Sequence, residues 1–343
     1  MNETQLSNNE SRITMAHGGG GIQSQELIQG IFASHFSNPI LNAMGDAAIV
    51  EIPRTYLAYT TDSYVVKPIF FPGGDIGKLA VCGTVNDLAV SGARAIYMTA
   101  GFIIEEGFEF KQLESIVASM ATVARACGIM IVAGDTKVVE KGNCDGIFIN
   151  TSGIGQLFVK QAMTSSRIET GDVIIINGSI ADHGMAIMSA REGLSMDTSI
   201  ESDCAPLNSL AEHLSAAVPN IKFMRDATRG GLATVLCEAV GENNFGIEID
   251  ESKIPLKEGT AAACELLGID PLYVANEGKL VAVVPADSAE VALATMQSHP
   301  QGKESEIIGC VTEDNVGKVN LITTIGSRRL ITMLSGEQLP RIC

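Results

Sequence analysis

Hydrophobic positions along the chain follow two periods, which predicts a mixed α and β protein. Apolar residues at helical spacing predict helices over 22–36, 76–90 and 110–127 in the first half. Short apolar runs between them predict strands. These predicted strands cover 55–60, 64–66, 95–104, 129–132 and 146–150.

The second half repeats this mixture after a stretch, 156–171, in which the periodicity fades. We therefore place a domain boundary near residue 160. Helices are predicted over 183–191, 207–217, 230–240 and 288–297, and strands over 173–177, 246–249 and 279–285. The predicted domains are a mobile N-terminus with a glycine-rich loop and first helix (1–40), an N-terminal domain (41–160), a C-terminal domain (161–329) and a flexible tail (330–343).

Composition narrows the class of protein. Hydrophobic residues make up 46% of the sequence and charged residues 18%, so the chain can bury a substantial core. Forty acidic residues against 23 Lys and Arg give a net charge of −17, which argues against nucleic acid as a partner. The apolar runs have the length of strands, so we expect no membrane segment and a cytoplasmic protein.

Eight cysteines are spread widely along the chain, without a C-x-x-C pair or a histidine at metal-ligand spacing. This pattern disfavours both a zinc site and a disulfide framework. Seven cysteines lie within or beside apolar segments and are expected to be core residues. Cys343 is different because it is the last residue of the sequence.

Five aspartates stand at the ends of apolar runs, beside glycine or small hydroxyl residues. Taken singly, such an aspartate more often caps a helix or forms an Asx-turn. Together they favour a nucleotide site, because carboxylates at strand ends can hold Mg²⁺ against phosphate oxygens. The five are Asp46, Asp62, Asp87, Asp135 and Asp226.

The glycine run Gly18, Gly19, Gly20 and Gly21 either cradles phosphate or is a flexible hinge. The segment 73–79 departs from the P-loop pattern, so any ATP binding uses another architecture. Lys137 and Glu277 are either solvated charges or a proton donor and acceptor that the fold brings together. His183, at the start of a predicted helix, is expected to have a structural or capping role.

Several segments together resemble the HypE family of hydrogenase maturation factors. They include His17 to Gly21, Thr61 to Val65, Gly83 to Gly92, Gly134 to Val139, Arg225 to Gly231, Asn276 to Leu280 and the terminal Pro340-Arg341-Ile342-Cys343. That family is similar to aminoimidazole ribonucleotide synthetase, selenophosphate synthetase and thiamine-monophosphate kinase. The resemblance implies an α+β (mixed α/β) fold with two PurM-like domains, the first of which binds ATP and forms a homodimer.

The resemblance also implies an activity. The thiol of Cys343 would receive a carbamoyl group from the carbamoyltransferase HypF, and ATP would drive its dehydration to a thiocyanate. The cyano group would pass to the HypC and HypD complex for the iron of [NiFe]-hydrogenase. An alternative is an ATP-dependent small-molecule kinase or synthetase of the same superfamily, and another is a non-catalytic nucleotide-dependent adaptor.

Residue roles follow from matching the motifs. Cys343, Lys137 and Glu277 would be catalytic, with Lys137 and Glu277 polarising the amide and accepting its proton. Magnesium would be held by Asp46, Asp62, Asp87 and Asp226. The residues expected to bind ATP are Gly18, Gly19, Gly20, Gly21, Thr61, Asp62, Asn86, Asp87, Asp135 and Thr136.

Overall fold

The computed structural model describes residues 21–27, 29, 48–52, 55–192, 200–336 and 342–343. The predicted roles of Gly18, Gly19, Gly20 and Asp46 lie outside the described residues. So does most of the helix predicted over 22–36, of which the described part is α1, Ile22–Leu27.

The first half is built on a five-stranded sheet in the order β1-β2-β7-β5-β6. Its strands pair antiparallel, except that β5 and β6 run parallel. Two helices, α2 and α3, pack against it. The elements are β1 (Ala48–Ile52), β2 (Thr55–Tyr64), β3 (Phe70–Phe71), β4 (Gly74–Asp75), α2 (Ile76–Val90), β5 (Ala93–Glu105), α3 (Phe110–Cys127), β6 (Met130–Val139) and β7 (Ile147–Leu157).

Helix α2 forms the centre of the molecule, and nearly all of its side chains are buried. The Asp75 carboxylate begins the helix by accepting hydrogen bonds from the backbone N–H groups of Gly77 and Lys78, at 2.7 and 3.0 Å. One side of α2 packs on the first sheet and the other on the second half of the chain. The helix therefore needs apolar residues all round, as its sequence provides.

The second half contains a seven-stranded sheet in the order β14-β13-β10-β12-β8-β11-β9. Helices cover this sheet, and a cluster of buried Ile, Val, Leu and Ala side chains fills the space between them. The elements are β8 (Val173–Ile176), α4 (Asp182–Glu192), α5 (Asn208–Ala217), β9 (Phe223–Asp226), α6 (Gly231–Val240), β10 (Gly246–Asp250), α7 (Glu258–Leu267), β11 (Leu280–Val284), α8 (Ala289–Gln297), β12 (Glu306–Thr312), β13 (Val319–Ile322) and β14 (Arg328–Ile331).

The two halves are joined by hydrogen bonds as well as by packing. The buried Asn86 side chain, on α2, donates to the carbonyl of Ala205 at 3.1 Å and to that of Glu277 at 3.4 Å. Its oxygen accepts from the N–H of Leu207 at 2.8 Å. Nearer the surface, Arg94 pairs with Glu212.

The mixed α and β architecture predicted from the sequence is confirmed, although particular elements differ. Two strands were predicted over 55–60 and 64–66. The structure has one strand, β2, which covers the first of them and ends at Tyr64, the first residue of the second. Strand β14 contains Leu330 and Ile331, which were predicted to begin the tail; both pair with β13. In the described part of the chain, no helix is long and apolar enough to cross a membrane.

Candidate functional site

A small cavity of about 60 Å³ lies where the two halves meet. Both halves contribute charged groups to its wall. The lining residues are Asp62, Ser63, Tyr64, Gly83, Asp87, Asp226, Thr228, Arg229, Glu277 and Cys343.

Strand β2 and helix α2 supply the first wall. Asp62 and Tyr64 stand two residues apart on β2 and so share a face, and the Tyr64 hydroxyl donates to the Asp62 carboxylate at 3.1 Å. Thr60 donates to the Asp87 carboxylate, on α2, at 2.5 Å. Burial and the charges of Asp62 and Asp87 raise the pKa of Tyr64, which keeps its proton at neutral pH. A Cβ atom at Gly83 would lie 2.2 Å from the tyrosine oxygen, so glycine makes this close approach possible.

The turn between β9 and α6 supplies the opposite wall. Asp226 is the last residue of β9, and Arg229 follows in the turn. Gly230 and Gly231 have φ angles of 77° and 60°, in the left-handed region that glycine adopts readily. The pKa of Arg229 is raised chiefly by the negative charge of Cys343 in its ionised form, and further by Asp62 and Glu277. Burial acts in the opposite direction and lowers it.

Glu277 lies just before β11, and its side chain is only 3% exposed. Its backbone N–H donates to the Asp203 carboxylate at 3.0 Å, and its carbonyl accepts from Ala205. Burial raises the pKa of Glu277 well above its usual range, and the negative charges of Cys204, Asp203, Asp226 and Asp62 raise it further. The fold therefore places a carboxyl group with a strong affinity for protons beside Cys343.

The described end of the chain is seated in this site. Ile342 is 5% exposed and belongs to the same apolar cluster as Tyr64 and Phe71. Its carbonyl forms a 2.5 Å hydrogen bond with His183 Nε2. Burial raises the pKa of the Cys343 thiol to about 12; Arg229 lowers it, and Glu277 and Asp62 raise it. In this position the thiol stays protonated at neutral pH.

The structure thus brings together Asp62, Asp87, Asp226, Glu277 and Cys343 from the predicted site. Asn86 is different, because backbone groups of the second half engage both polar ends of its amide. In this conformation its amide joins the halves, and its predicted contact with ATP stays a prediction. Gly21 packs against Leu334, where a Cβ would lie 2.1 Å from the Leu334 carbonyl oxygen, and it does not line the cavity.

Lys137 is not brought to Glu277. It lies on β6, three strands from β2, which corresponds to about 14 Å at the usual strand spacing. Asp135 pairs with Gly101, which pairs with Asn150, which in turn pairs with Ser63, and paired residues lie on the same face of a sheet. Ser63 and Asp62 are neighbours on β2 and therefore lie on opposite faces. Asp135, and Lys137 two residues further along β6, thus lie on the face opposite to that of Asp62. Thr136 alternates with them on β6, and Thr61 hydrogen-bonds to the Thr151 carbonyl; neither lines the cavity.

Several groups of the site were not assigned from the sequence: Tyr64, Arg229 and the contact of His183 with the tail. Arg229 belongs to a glycine-containing motif that was noted in the sequence. The sequence does not show where its side chain points, because the conformation of the turn determines that. His183 was expected to have a structural or capping role, and its buried ring hydrogen-bonds to the backbone carbonyl of Ile342, a partner that the sequence did not indicate.

Oxygen ligands from Asp62, Asp87 and Asp226 are of the chemical type that Mg²⁺ prefers. Among the described residues, however, no three acidic, histidine or cysteine side chains already converge as a metal site. This arrangement fits an ion that takes one or two carboxylates and completes its shell with phosphate oxygens and water.

Two family models match the chain. Residues 44–157 match the N-terminal domain of AIR synthase related proteins, and residues 169–322 match the C-terminal domain. The intervening residues, 158–168, include the boundary predicted near residue 160.

Similar proteins cover nearly the whole chain. The carbamoyl dehydratase HypE of Rhodobacter capsulatus is 49% identical over 97% of this chain and 99% of its own. A crystal structure of a HypE–HypF complex has a chain that is 52% identical, with a TM-score of 0.85, covering 90% of this chain and 99% of that one. Another, of the hydrogenase maturation protein HypE with ATP, is 47% identical with a TM-score of 0.81, covering 97% and 100%.

Proposed function

Since this chain belongs to the HypE family of carbamoyl dehydratases, within the AIR synthase related proteins, we propose that Cys343 carries the carbamoyl group that is dehydrated. The observation that supports this most directly is the position of Cys343, in a cavity with Glu277, Arg229 and three aspartates. The product is a thiocyanate that supplies the cyanide ligand for the iron of [NiFe]-hydrogenase.

The reaction removes the elements of water from an amide, and ATP is needed because oxide is a poor leaving group. The amide oxygen attacks the γ-phosphorus, ADP leaves, and the oxygen now carries a phosphoryl group. Loss of the N–H protons forms the carbon–nitrogen triple bond while the carbon–oxygen bond breaks. The oxygen departs with inorganic phosphate.

Glu277 is the group best placed to accept a proton. Burial raises the pKa of Glu277, so the carboxyl group holds a proton over most of its range, and only its ionised fraction, which is a strong base, accepts the amide proton. Arg229 faces the position of the sulfur and stabilises negative charge that develops on the carbamoyl group. Because Lys137 lies on the opposite face of the first sheet, we assign it no role at this cavity.

ATP enters from the side of Asp62 and Asp87, with its terminal phosphate toward Cys343. The cavity beside the seated tail is small, so it admits the reacting end of the nucleotide and excludes bulk water. Mg²⁺ would neutralise charge on the phosphate oxygens, and Asp62, Asp87 and Asp226 are the carboxylates that would hold it. A relative crystallised in complex with ATP supports the binding of ATP.

Two partners follow from the proposed reaction, and a third, a second copy of the chain, is proposed from an exposed apolar groove. HypF, with which a relative forms a complex, delivers the carbamoyl group, and the HypC and HypD complex receives the cyano group. A second copy of the chain covers the apolar groove of about 450 Å³ beside β6, where Val132 and Ile131 are exposed.

Mass spectrometry of the tail tests the function. The chain is incubated with HypF, a carbamoyl donor and ATP, then cleaved after Glu337 so that Cys343 is recovered in a short peptide. We expect this peptide to gain the mass of one carbamoyl group and then to lose that of one water. Cys343→Ala abolishes both changes, whereas Cys310→Ala, which removes an exposed cysteine, leaves them intact.

Other outcomes would contradict the proposal. Carbamoylation without ATP-dependent water loss would favour the adaptor. ATP turnover on a small molecule that is equal in wild type and Cys343→Ala, without any change in the peptide, would favour the kinase or synthetase.

A further inference from the structure

The last two residues are held by an element that the chemistry above does not use. His183 belongs to the first turn of α4 and is fully buried, with one ring nitrogen on Ser202 and the other on the carbonyl of Ile342. Phe71 packs edge-on against the imidazole, with 5.6 Å between ring centroids. The ring is thus fixed on three sides, and it reaches the backbone of the residue before Cys343.

The hydrogen bonds determine which nitrogen of His183 carries the proton. A carbonyl oxygen can only accept, so Nε2 must donate to Ile342. Burial lowers the pKa of His183, against the effects of Asp203 and of the Ile342 hydrogen bond, so the ring is neutral and Nδ1 accepts. The donor to Nδ1 is then the Ser202 hydroxyl, at 2.8 Å.

The other hydrogen bonds of Ser202 agree with its hydroxyl donating to His183. Its oxygen accepts from the backbone N–H of Cys204 at 3.1 Å, which leaves its proton for His183. Its own N–H donates to the carbonyl of Pro72 at 2.8 Å, beside Phe71. Hydrogen bonds therefore run from the loop around Ser202, through His183, to the tail.

We propose that His183 is a positioning residue that recognises the backbone of Ile342 and holds the carbamoylated Cys343 side chain beside Glu277. This proposal rests on the proposed function and extends it, because it assigns recognition to the residue before the cysteine. The Ile342 side chain adds an apolar contact, since it is buried in a cluster to which both halves contribute, including Ile187 one turn along α4.

Two substitutions separate the hydrogen bond from packing. In His183→Gln, the amide nitrogen can stand near the position of Nε2 and still donate to Ile342. In His183→Asn, the shorter amide matches Nδ1 and loses that donor. Loss of one neutral hydrogen bond corresponds to about a 2- to 10-fold change in the tail's docking equilibrium.

The first readout is alkylation of the unmodified chain, followed at Cys343 in the peptide released after Glu337. The seated thiol reacts slowly because it is partly buried and protonated. We expect His183→Asn to label Cys343 about 2- to 10-fold faster than wild type and His183→Gln to label it close to wild type. Exposed Cys310 serves as an internal control and labels equally in all three.

The second readout is single-turnover dehydration. His183→Asn accepts the carbamoyl group from HypF at least as fast as wild type, because that step uses the released tail, but dehydrates it several-fold more slowly. His183→Gln restores the rate. Equal labelling and dehydration in His183→Asn and wild type would overturn the proposal, as would Asn and Gln variants that are impaired alike. If wild type itself fails to dehydrate the tail, the proposed function fails, whereas the labelling result still tests His183 separately.

Discussion

At the scale of single residues, Glu277 has the carboxyl group whose ionisation the fold controls most. Its pKa lies well above the ordinary value of 4.5, because it is buried and faces other negative groups. In the unfolded chain the same group ionises near its ordinary value. Between those two pKa values, folding retains a proton that unfolding releases, so the free energy of unfolding decreases as pH rises.

Glu277→Gln should remove this pH dependence. We expect its melting temperature to equal or exceed that of wild type, with a difference that grows by a few degrees from pH 5 to pH 8 and disappears toward pH 4. Thermal unfolding across this pH range measures it. Glu242→Gln, at an exposed glutamate, is the control and should show no such trend. A difference that is constant with pH would contradict the assignment.

Residue chemistry also explains which parts of the site the sequence could predict. Asp62, Asp87, Asp226, Glu277 and Cys343 belong to short motifs whose composition already suggested phosphate or thiol chemistry, and they do meet. Lys137 has an equally suggestive motif, but strand order places it three strands from β2 and the register places it on the opposite face. No local pattern shows strand order, because pairing between distant segments determines it.

At the scale of elements, the turn from β9 to α6 directs the second wall of the site. Gly231 has a φ of 60°, and a Cβ there would lie 2.5 and 2.6 Å from the carbonyl oxygens of Leu272 and Val274. The turn can therefore press against the segment that leads to Glu277 only if this residue is glycine. Packing of the turn and placement of Glu277 depend on each other.

Gly231→Ala should destabilise the protein more than Gly317→Ala. Both positions have a left-handed φ, which costs about 1 kcal/mol for alanine. In the described structure a Cβ at Gly317 would meet no heavy atom within 4 Å, so only Gly231→Ala also displaces the backbone, by an expected additional 1–3 kcal/mol. Urea unfolding measures the difference. Equal losses would show that the turn can relax.

Elements with a strong periodic signal were predicted well, and α2 and α3 have the predicted bounds. Asp75 at the start of α2 and Gly128 after α3 are recognisable helix boundaries. In the second half, the sequence analysis did not predict β9, α7, β12, β13 or β14, and in the first half it did not predict β1, β3 or β4. Most of these strands are short and are stabilised by their neighbours in the second sheet, which a local pattern cannot reveal.

At the scale of the whole molecule, the site exists only while the two halves stay together. Asn86 is central to this, because its amide satisfies an N–H and two carbonyl groups across the junction. Removing the side chain would leave those buried groups without these partners. Such losses cost about 1–3 kcal/mol for each buried group.

Asn86→Ala should therefore lower the free energy of unfolding by about 2–4 kcal/mol. Asn243→Ala is a matched control, since its amide makes one local hydrogen bond, to the carbonyl of Ala239, and should cost about 1 kcal/mol. Chemical denaturation of both variants provides the comparison. A loss in Asn86→Ala no larger than in Asn243→Ala would show that packing alone joins the halves.

The seating of Ile342 has a consequence for how a partner captures the tail. Strand β14 fixes Ile331 in the second sheet, and the seated Ile342 follows only 11 positions later in the sequence. A covalent connection of this length gives an effective concentration in the millimolar range. HypF thus competes with an intramolecular occupant of the cleft, and it should bind a free peptide of the tail sequence more tightly than the same sequence attached to the folded protein.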